Sequence, residues 1–214
     1  MAIRLFETRT NNSNVPLRVA MGHFATSHSH INYYIDLTLT KHRLSEAREV
    51  AAHLCGKISH SQVIDTILCL DGTEVIGACM ASEMTRRGFQ NVNAHNTIYV
   101  VTPEHTTGSQ LLFRENSAPM VVGKNVLVLA ASVTTGYTAQ AAVDAIRYYS
   151  GKVAGVCSIF SCVEECAGFE VNAVFTMKND LPDYSSMASH ECPMCKAGRR
   201  LDAMVNAFGV SSFT

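Results

Sequence analysis

The segment from Asn125 to Ala139, NVLVLAASVTTGYTA, contains residue types that bind phosphate. An apolar run ends at Ala130 and Ala131, and a threonine-rich turn around Gly136 follows directly. Hydroxyl groups and backbone N–H groups at the start of a helix bind phosphate, and glycine allows close approach of the backbone. The hydroxyl side chains in question are those of Ser132, Thr134, Thr135 and Thr138. The pattern predicts a phosphate-binding turn, although an ordinary strand-to-helix turn would have a similar composition.

Strands and helices alternate on both sides of this turn. Apolar runs predict strands over residues 32–39, 63–70, 97–101, 125–130, 153–161 and 171–177. Spacing of apolar residues predicts helices over residues 45–58, 74–84 and 139–151. Residues 104–120 lack periodicity, and we expect a long functional loop there. The alternation predicts a parallel sheet with helices on both faces, whose ligands bind at the carboxyl ends of the strands.

The overall composition limits the classes of function. The 214 residues are 47% hydrophobic and 16% charged, which is typical of a soluble globular domain with a full core. A net charge of −1 without a long basic run does not favour binding to nucleic acid or to anionic membranes. No apolar run approaches the roughly 20 residues of a membrane helix. The first residues contain no apolar signal segment, so we expect a cytoplasmic protein.

The eight cysteines are expected to be reduced thiols or metal ligands, since disulfides are rare in the cytoplasm. The segment HECPMC places Cys192 and Cys195 in a turn of the type that presents two thiolates to zinc. Such a turn supplies half of a tetrahedral site. Cys162 and Cys166 would complete it, as would His190 with a cysteine from a second subunit. Redox use and thiols that bind no metal are the alternatives.

Three histidines, His23, His28 and His30, lie in the segment GHFATSHSHI. If residues 28–30 formed a strand, His28 and His30 would point to the same face, as a metal-binding pair requires. No carboxylate follows before Asp36, which makes a metal site the less favoured interpretation of this segment.

The segment VLVLAASVTTGYTAQAAVDAI resembles the signature of the type I phosphoribosyltransferases, in which four apolar residues lead through two acids into a threonine-rich glycine loop. NYYIDLT is similar to an early segment of the orotate phosphoribosyltransferases. VIDTILCLDGTEVIG corresponds to that family's strand and short pyrophosphate-binding loop, and residues 104–120 correspond to its mobile catalytic loop. The likeness extends over roughly residues 15–180, and only the signature segment is distinctive.

The resemblance implies a type I phosphoribosyltransferase-like α/β fold: a twisted parallel sheet flanked by helices, a small hood and a cysteine-containing C-terminal tail. The predicted domain spans residues 1–180 and includes the N-terminal hood. Residues 181–214 follow, with the CPxC turn and an amphipathic helix. The apolar face of that helix would contain Leu201, Met204, Val205 and Phe208.

The implied activity is that of an orotate phosphoribosyltransferase, in pyrimidine biosynthesis. Such an enzyme transfers phosphoribosyl from phosphoribosyl pyrophosphate (PRPP) to a pyrimidine-type base and releases pyrophosphate. Mg²⁺ bound together with PRPP and assembly as a homodimer are implied as well, and zinc is a further possible metal. The chemistry depends on positioning and charge stabilisation rather than on covalent participation of the protein.

The resemblance also assigns residues to the substrate. The 5′-phosphate would be bound by Ser132, Thr134, Thr135, Gly136, Tyr137 and Thr138. The pyrophosphate would lie beside Asp71, Gly72 and Thr73. The mobile loop would contribute His105, Gly108 and Arg114. The histidine-rich segment would lie near the base-binding side.

Two departures from the family pattern weaken the catalytic prediction. Ala130 and Ala131 stand where the family has the adjacent acids that hold the ribose hydroxyls. Losing two hydrogen bonds to charged groups would cost about 3–6 kcal/mol unless another acid replaces them, and the candidates are Glu74, Glu104 and Asp144. The predicted loop also lacks lysine, which leaves one candidate cation for the pyrophosphate, Arg114. The alternative is therefore a catalytically impaired regulatory protein that binds PRPP or a nucleotide.

Overall fold

The computed structural model describes residues 4–8, 14–27, 29–86, 92–94, 97–106, 110–206 and 208–213. Its strands, numbered along the chain, are β1 (Phe6–Thr8), β2 (Leu17–Ala25), β3 (His30–Asp36), β4 (Thr66–Cys69), β5 (Tyr99–Val101), β6 (Glu104–His105), β7 (Leu111–Leu112), β8 (Asn125–Val133), β9 (Lys152–Ser161), β10 (Glu165–Cys166), β11 (Phe169–Thr176), β12 (Ser186–Met187), β13 (Ala203–Asn206) and β14 (Gly209–Ser212). Its helices are α1 (Thr38–His42), α2 (Leu44–Lys57), α3 (Glu74–Thr85), α4 (Tyr137–Tyr148), α5 (Met177–Asp180), α6 (Pro193–Lys196) and a 3-10 helix (Ala118–Met120). None of these helices is long and apolar enough to cross a membrane.

The central sheet has the strand order β10-β11-β9-β8-β4-β5. Its strands are parallel except for the β10–β11 hairpin. Successive side chains of a strand point to opposite faces of the sheet, and those of β8 are buried on both faces. Leu127 and Leu129 belong to the core that includes α2 and α3, whereas Val126 and Val128 belong to the core under α4. This arrangement confirms the predicted parallel sheet with helices on both faces.

A second sheet, which we call the hood sheet, has the order β12-β3-β2-β13-β14, with β1 also paired to β2. Its strands come from both ends of the described chain. Strand β13 runs parallel to β2, with Ala203 opposite Phe24, and β12 pairs antiparallel with β3. The C-terminal segment therefore completes the sheet that the N-terminal segment begins. The division at residue 180 stays a prediction.

A buried ion pair attaches the hood sheet to helix α2. The Arg18 guanidinium on β2 donates two hydrogen bonds to the Glu46 carboxylate, at 2.8 and 2.9 Å. Both residues are less than a tenth exposed. The hydrogen bonds from Arg18 hold the pKa of Glu46 below its usual value. A bidentate pair of this kind fixes orientation as well as distance, so it sets how the hood sits on the core.

The structure corrects two expectations about secondary structure. The amphipathic helix predicted near the C-terminus is wrong, because β13 and β14 form a hairpin there. Burial along β13 alternates with period two, with Ala203 and Val205 inside, and Phe208 is 92% exposed. The apolar spacing fits a helix equally well, but β2 offers a strand edge to pair with. Residues 104–120 are also not one irregular loop, because β6 and β7 form a short antiparallel ladder.

Candidate phosphate-binding site

The predicted phosphate turn lies where β8 ends and α4 begins. Gly136 is the N-cap of α4 and has a φ of +83°, a left-handed conformation that favours glycine. A Cβ atom at this position would lie 2.7 Å from Cys166 Sγ. Burial raises the pKa of the Cys166 thiol, which donates a hydrogen bond to the Gly136 carbonyl at 3.3 Å. Both the backbone angle and the neighbouring sulfur therefore require glycine here.

The hydroxyl groups of this turn are available for a ligand. Ser132, Thr135 and Thr138 are exposed and Thr134 is half-buried. In the described part of the chain, none of these four side chains makes a hydrogen bond, and α4 has no side-chain cap. The N-terminus of a 12-residue helix carries a partial positive charge and unpaired N–H groups. Tyr137 is 77% exposed at the same helix end.

The predicted pyrophosphate loop follows β4, the neighbour of β8 in the sheet. Asp71 and Gly72 both have positive φ, +58° and +79°, so the backbone turns sharply before α3. The buried Thr73 hydroxyl donates to the Leu70 carbonyl at 2.9 Å, with the Leu129 carbonyl also 3.1 Å away. This hydroxyl fixes the loop to the ends of both strands. Thr73 is thus placed in the predicted loop, with its side chain directed at the backbone.

The two loops share one edge of the sheet because β4 and β8 pair in parallel register, with Cys69 opposite Leu129. Neighbouring strands are about 4.8 Å apart. The structure therefore brings the two predicted groups of site residues side by side, at the carboxyl edge where ligands of parallel sheets bind. Their roles in binding stay predictions.

A lysine that sequence reasoning missed contacts the pyrophosphate loop. Lys41 on α1 is 5% exposed, and its Nζ donates to the Asp71 carbonyl at 2.8 Å. Burial lowers the pKa of Lys41, and the nearby carboxylate of Asp71 opposes that shift. No pattern in the sequence links this lysine to a loop 30 positions later. The structure therefore places a lysine from outside the predicted catalytic loop beside the predicted pyrophosphate loop.

The Asp71 carboxylate is partly buried between the two loops. Burial raises the pKa of Asp71, while Lys41 and His105 act in the opposite direction. The backbone of Ala131 also favours the charged form of this carboxylate. An acid thus lies next to one of the two positions where the family signature has its own acids.

The alanine pair itself is buried in the sheet. Ala130 faces the core under α4 and Ala131 faces the other core. The three acids considered as substitutes all have other partners. Glu74 accepts a hydrogen bond from Thr102 at 2.9 Å, Asp144 accepts one from Gln140 at 2.9 Å, and Glu104 pairs with an arginine.

The predicted catalytic loop is the β6–β7 hairpin and the residues after it. Arg114 donates two hydrogen bonds to Glu104, both at 2.6 Å, and both side chains are exposed. His105 is exposed on β6, close enough to Asp71 to influence its pKa. Gly108 lies outside the described residues. The candidate cation Arg114 is therefore neutralised by a neighbouring acid in this conformation.

The predicted metal ligands Cys192 and Cys195 lie at the hood sheet, where they contact His23. The partners proposed from the sequence lie elsewhere. Cys166 contacts the phosphate turn, and His190 is an exposed residue whose ring is 3.6 Å from Glu191.

Comparison with known proteins identifies the fold. No known family profile and no curated protein sequence matches the chain. Solved structures match it despite low identity. A phosphoribosyltransferase from Corynebacterium diphtheriae has a TM-score of 0.52 and 20% identity, over 76% of this chain and 91% of the other. The chain has the type I phosphoribosyltransferase fold.

Two further structures agree with this assignment. The orotate phosphoribosyltransferase of Mycobacterium tuberculosis has a TM-score of 0.52 and 19% identity, over 76% of this chain and 91% of that one. The UMP synthase of Leishmania donovani has a TM-score of 0.56 and 17% identity, over 85% of this chain and 36% of that one. The resemblance predicted from the threonine-rich segment is confirmed at the level of the phosphoribosyltransferase fold.

Proposed function

We propose that this protein is an orotate phosphoribosyltransferase-like enzyme that transfers phosphoribosyl from PRPP to a pyrimidine-type base. The observation that carries the proposal is the turn after β8. Four hydroxyl side chains without partners in the described chain surround a left-handed glycine at the N-terminus of α4. This arrangement supplies N–H and O–H donors without a lysine, which suits a phosphate monoester.

The loop after β4 would bind the pyrophosphate of PRPP. Lys41, whose Nζ donates to the Asp71 carbonyl, would supply one positive charge. Arg114 would supply a second one once its hydrogen bonds to Glu104 are broken. Mg²⁺ is usually held by one or two carboxylates together with substrate phosphates. Asp71 is the only acid in the two loops, residues 71–73 and 132–138, and would be the protein ligand of a Mg²⁺ ion that enters with PRPP.

Catalysis would consist of positioning the ribose and stabilising the charge of the departing pyrophosphate. The bond from the ribose C1 to the pyrophosphate oxygen breaks, and a base nitrogen forms the new bond at C1. The base would lie between this edge of the sheet and the hood. We propose further that the protein acts as a homodimer, as the family resemblance implies.

A second candidate function is favoured by the alanine pair. Ala130 and Ala131 offer no side-chain acceptor to the ribose hydroxyls, and the three alternative acids have other partners. A regulatory protein would need the phosphate turn but not those acceptors. On this reading the chain binds PRPP or a nucleotide without turnover.

One experiment separates the two functions. PRPP with Mg²⁺ is titrated into the protein in a calorimeter, and pyrophosphate release is then measured in the presence of orotate, uracil or a purine base. Binding with release supports the enzyme and identifies its base. Binding without release supports the regulatory protein, and absence of binding refutes both.

Two threonine variants assign the binding to the turn. Thr135→Val removes an exposed hydroxyl of the turn at nearly constant volume, and PRPP affinity should fall by about tenfold, which corresponds to about 1.4 kcal/mol. Thr85→Val is a control for the loss of a threonine hydroxyl outside the turn, because Thr85 ends α3 and its hydroxyl donates to the Ala81 carbonyl at 2.7 Å. Equal affinities of the two variants would contradict the assignment.

A further inference from the structure

Four side chains with metal-binding atoms converge at one end of the hood sheet. His23 lies on β2, His30 begins β3, and Cys192 and Cys195 belong to the CPMC segment around α6. Their four ligand atoms all lie within 4.8 Å of one another. The histidines and cysteines are separated by up to 172 positions along the chain, so the folded hood alone brings them together.

Four of the six distances between these atoms match the edges of a zinc tetrahedron. At the bond lengths of zinc proteins, two nitrogens would be about 3.3 Å apart and a nitrogen and a sulfur about 3.5 Å apart. His23 Nε2 and His30 Nδ1 are 3.2 Å apart. Cys195 Sγ is 3.6 Å from His23 Nε2 and 3.2 Å from His30 Nδ1. Cys192 Sγ is 3.4 Å from His23 Nε2.

The hydrogen bonds of His23 prepare it to be a ligand. Its Nδ1 lies 3.0 Å from the Arg199 carbonyl and 3.2 Å from the Arg200 carbonyl. Carbonyl oxygens only accept, so Nδ1 carries the ring proton and Nε2 presents its lone pair to the cluster. Metal-bound histidines usually donate their other ring nitrogen in this way.

Burial and local backbone also suit a metal. His23 and Cys192 are completely buried, whereas Cys195 is exposed and leaves a path from solvent. The two residues between the cysteines give the shortest spacing common in zinc sites. The CPMC turn is closed by hydrogen bonds from the Lys196 N–H to the Cys192 carbonyl and from the Gly198 N–H to the Cys195 carbonyl.

We propose that His23, His30, Cys192 and Cys195 bind one Zn²⁺ ion in a closed structural site that fastens the C-terminal segment to the hood sheet. Two thiolates and two imidazoles favour zinc over Mg²⁺, which prefers oxygen ligands. The two thiol protons pass to solvent when the metal binds. All four positions are filled by protein, so the site holds the hood together and offers no place for a substrate. This zinc is independent of PRPP and of the proposed transfer reaction.

Metal analysis of the purified chain tests the site. The protein is purified without chelators, supplied with zinc and desalted, and its zinc content is measured by mass spectrometry. We expect about one zinc per chain. Cys195→Ser should lose most of the metal, since serine is a poor zinc ligand. His190→Ala is the matched control, because His190 is exposed in the same segment and outside the cluster. It should retain the full zinc content.

A second measurement uses the unaltered chain, so that misfolding of the serine variant does not decide the result. Co²⁺ replaces zinc, and the absorption spectrum is recorded. Thiolate-to-cobalt charge-transfer bands with intense visible bands indicate tetrahedral coordination by sulfur and support the proposal. Zinc well below one per chain, equal zinc in Cys195→Ser and wild type, a weak octahedral cobalt spectrum, or a Cys192–Cys195 disulfide in the purified protein would each overturn it.

Discussion

Replacing Gly136 by alanine separates two reasons why glycine occupies the phosphate turn. The first is the backbone angle of +83°, which costs a residue with a Cβ atom about 1–2 kcal/mol. The second is the overlap of the new Cβ with Cys166 Sγ at 2.7 Å, and overpacking of this kind adds typically about 1–3 kcal/mol. We expect Gly136→Ala to lower the free energy of unfolding by the sum, roughly 2–5 kcal/mol.

The chain contains a matched control for the backbone contribution. Gly168 also has a φ of +83°, and a Cβ built there meets nothing within 4 Å. Gly168→Ala should therefore lower the free energy of unfolding by the backbone contribution alone. The second term is tested by adding Cys166→Ala to Gly136→Ala. That change removes the sulfur and leaves Cys166 Cβ at 3.6 Å, an ordinary contact, so the double variant should regain the steric part.

Urea denaturation of these three variants, of Cys166→Ala alone and of the wild type gives the free energies of unfolding. The reasoning is refuted if Gly136→Ala and Gly168→Ala cost the same within about 0.5 kcal/mol, or if the changes at positions 136 and 166 add without coupling. The same samples report on function. PRPP affinity should fall in Gly136→Ala and stay unchanged in Gly168→Ala, because only the former alters the turn at the N-terminus of α4.

Three further predictions concern charged groups. Burial raises the pKa of Asp71, so its contribution to stability is fully present below the usual value of 3.8 and declines as the pH rises through the raised pKa. Asp71→Asn should therefore gain stability relative to wild type as the pH rises above 3.8 in urea denaturation. A constant difference would contradict this. Glu46→Gln leaves the buried Arg18 guanidinium with Glu7 as its remaining ionic partner, at 3.0 Å. It should lower the free energy of unfolding by about 1.5–3 kcal/mol, the contribution of hydrogen bonds to a charged group, and a loss below about 1 kcal/mol in urea denaturation would contradict this. Arg114→Gln removes the proposed cation and should lower pyrophosphate affinity in calorimetry. Glu104→Gln frees Arg114 from its acidic partner and should raise that affinity. Changes of the same sign would exclude Arg114 as the pyrophosphate cation.

The sequence predicted the elements whose signals are local. The apolar run of β8, the threonine turn and α4 appear where they were expected, because strand burial, the left-handed glycine and helical spacing all depend on residues close in the chain. The loop containing Asp71 and Gly72 was found for the same reason, since a strand, a turn and a helix follow one another directly.

Contacts between distant segments were beyond such patterns. The pattern of the C-terminal segment favours a helix because alternation over the four residues of β13 is too short to outweigh helical spacing. Its partner strand β2 is far away in sequence. Lys41 was missed because only the packing of α1 brings it under the pyrophosphate loop. The histidine spacing predicts a pair of His28 and His30, but His28 lies outside the described residues. His30 instead lies beside His23 on the neighbouring strand and beside Cys195 from the C-terminal segment, contacts that no local spacing indicates.

The hood sheet can be completed only late in synthesis of the chain. Strand β2 leaves the ribosome early, but its parallel neighbour β13 belongs to the last part of the described chain. Domains generally fold from the N-terminus during synthesis, at about 5–20 residues per second. Strand β1 pairs with β2 over residues 17–19, but the part of β2 at Phe24 and Ala25 stays unpaired on that side until β13 is made. An unpaired strand segment of this kind is a hazard for edge-to-edge aggregation. Arrest or truncation shortly before residue 203 would therefore yield a chain whose central sheet is complete but whose hood sheet keeps an unpaired strand segment. Such a chain should aggregate more readily than the full one.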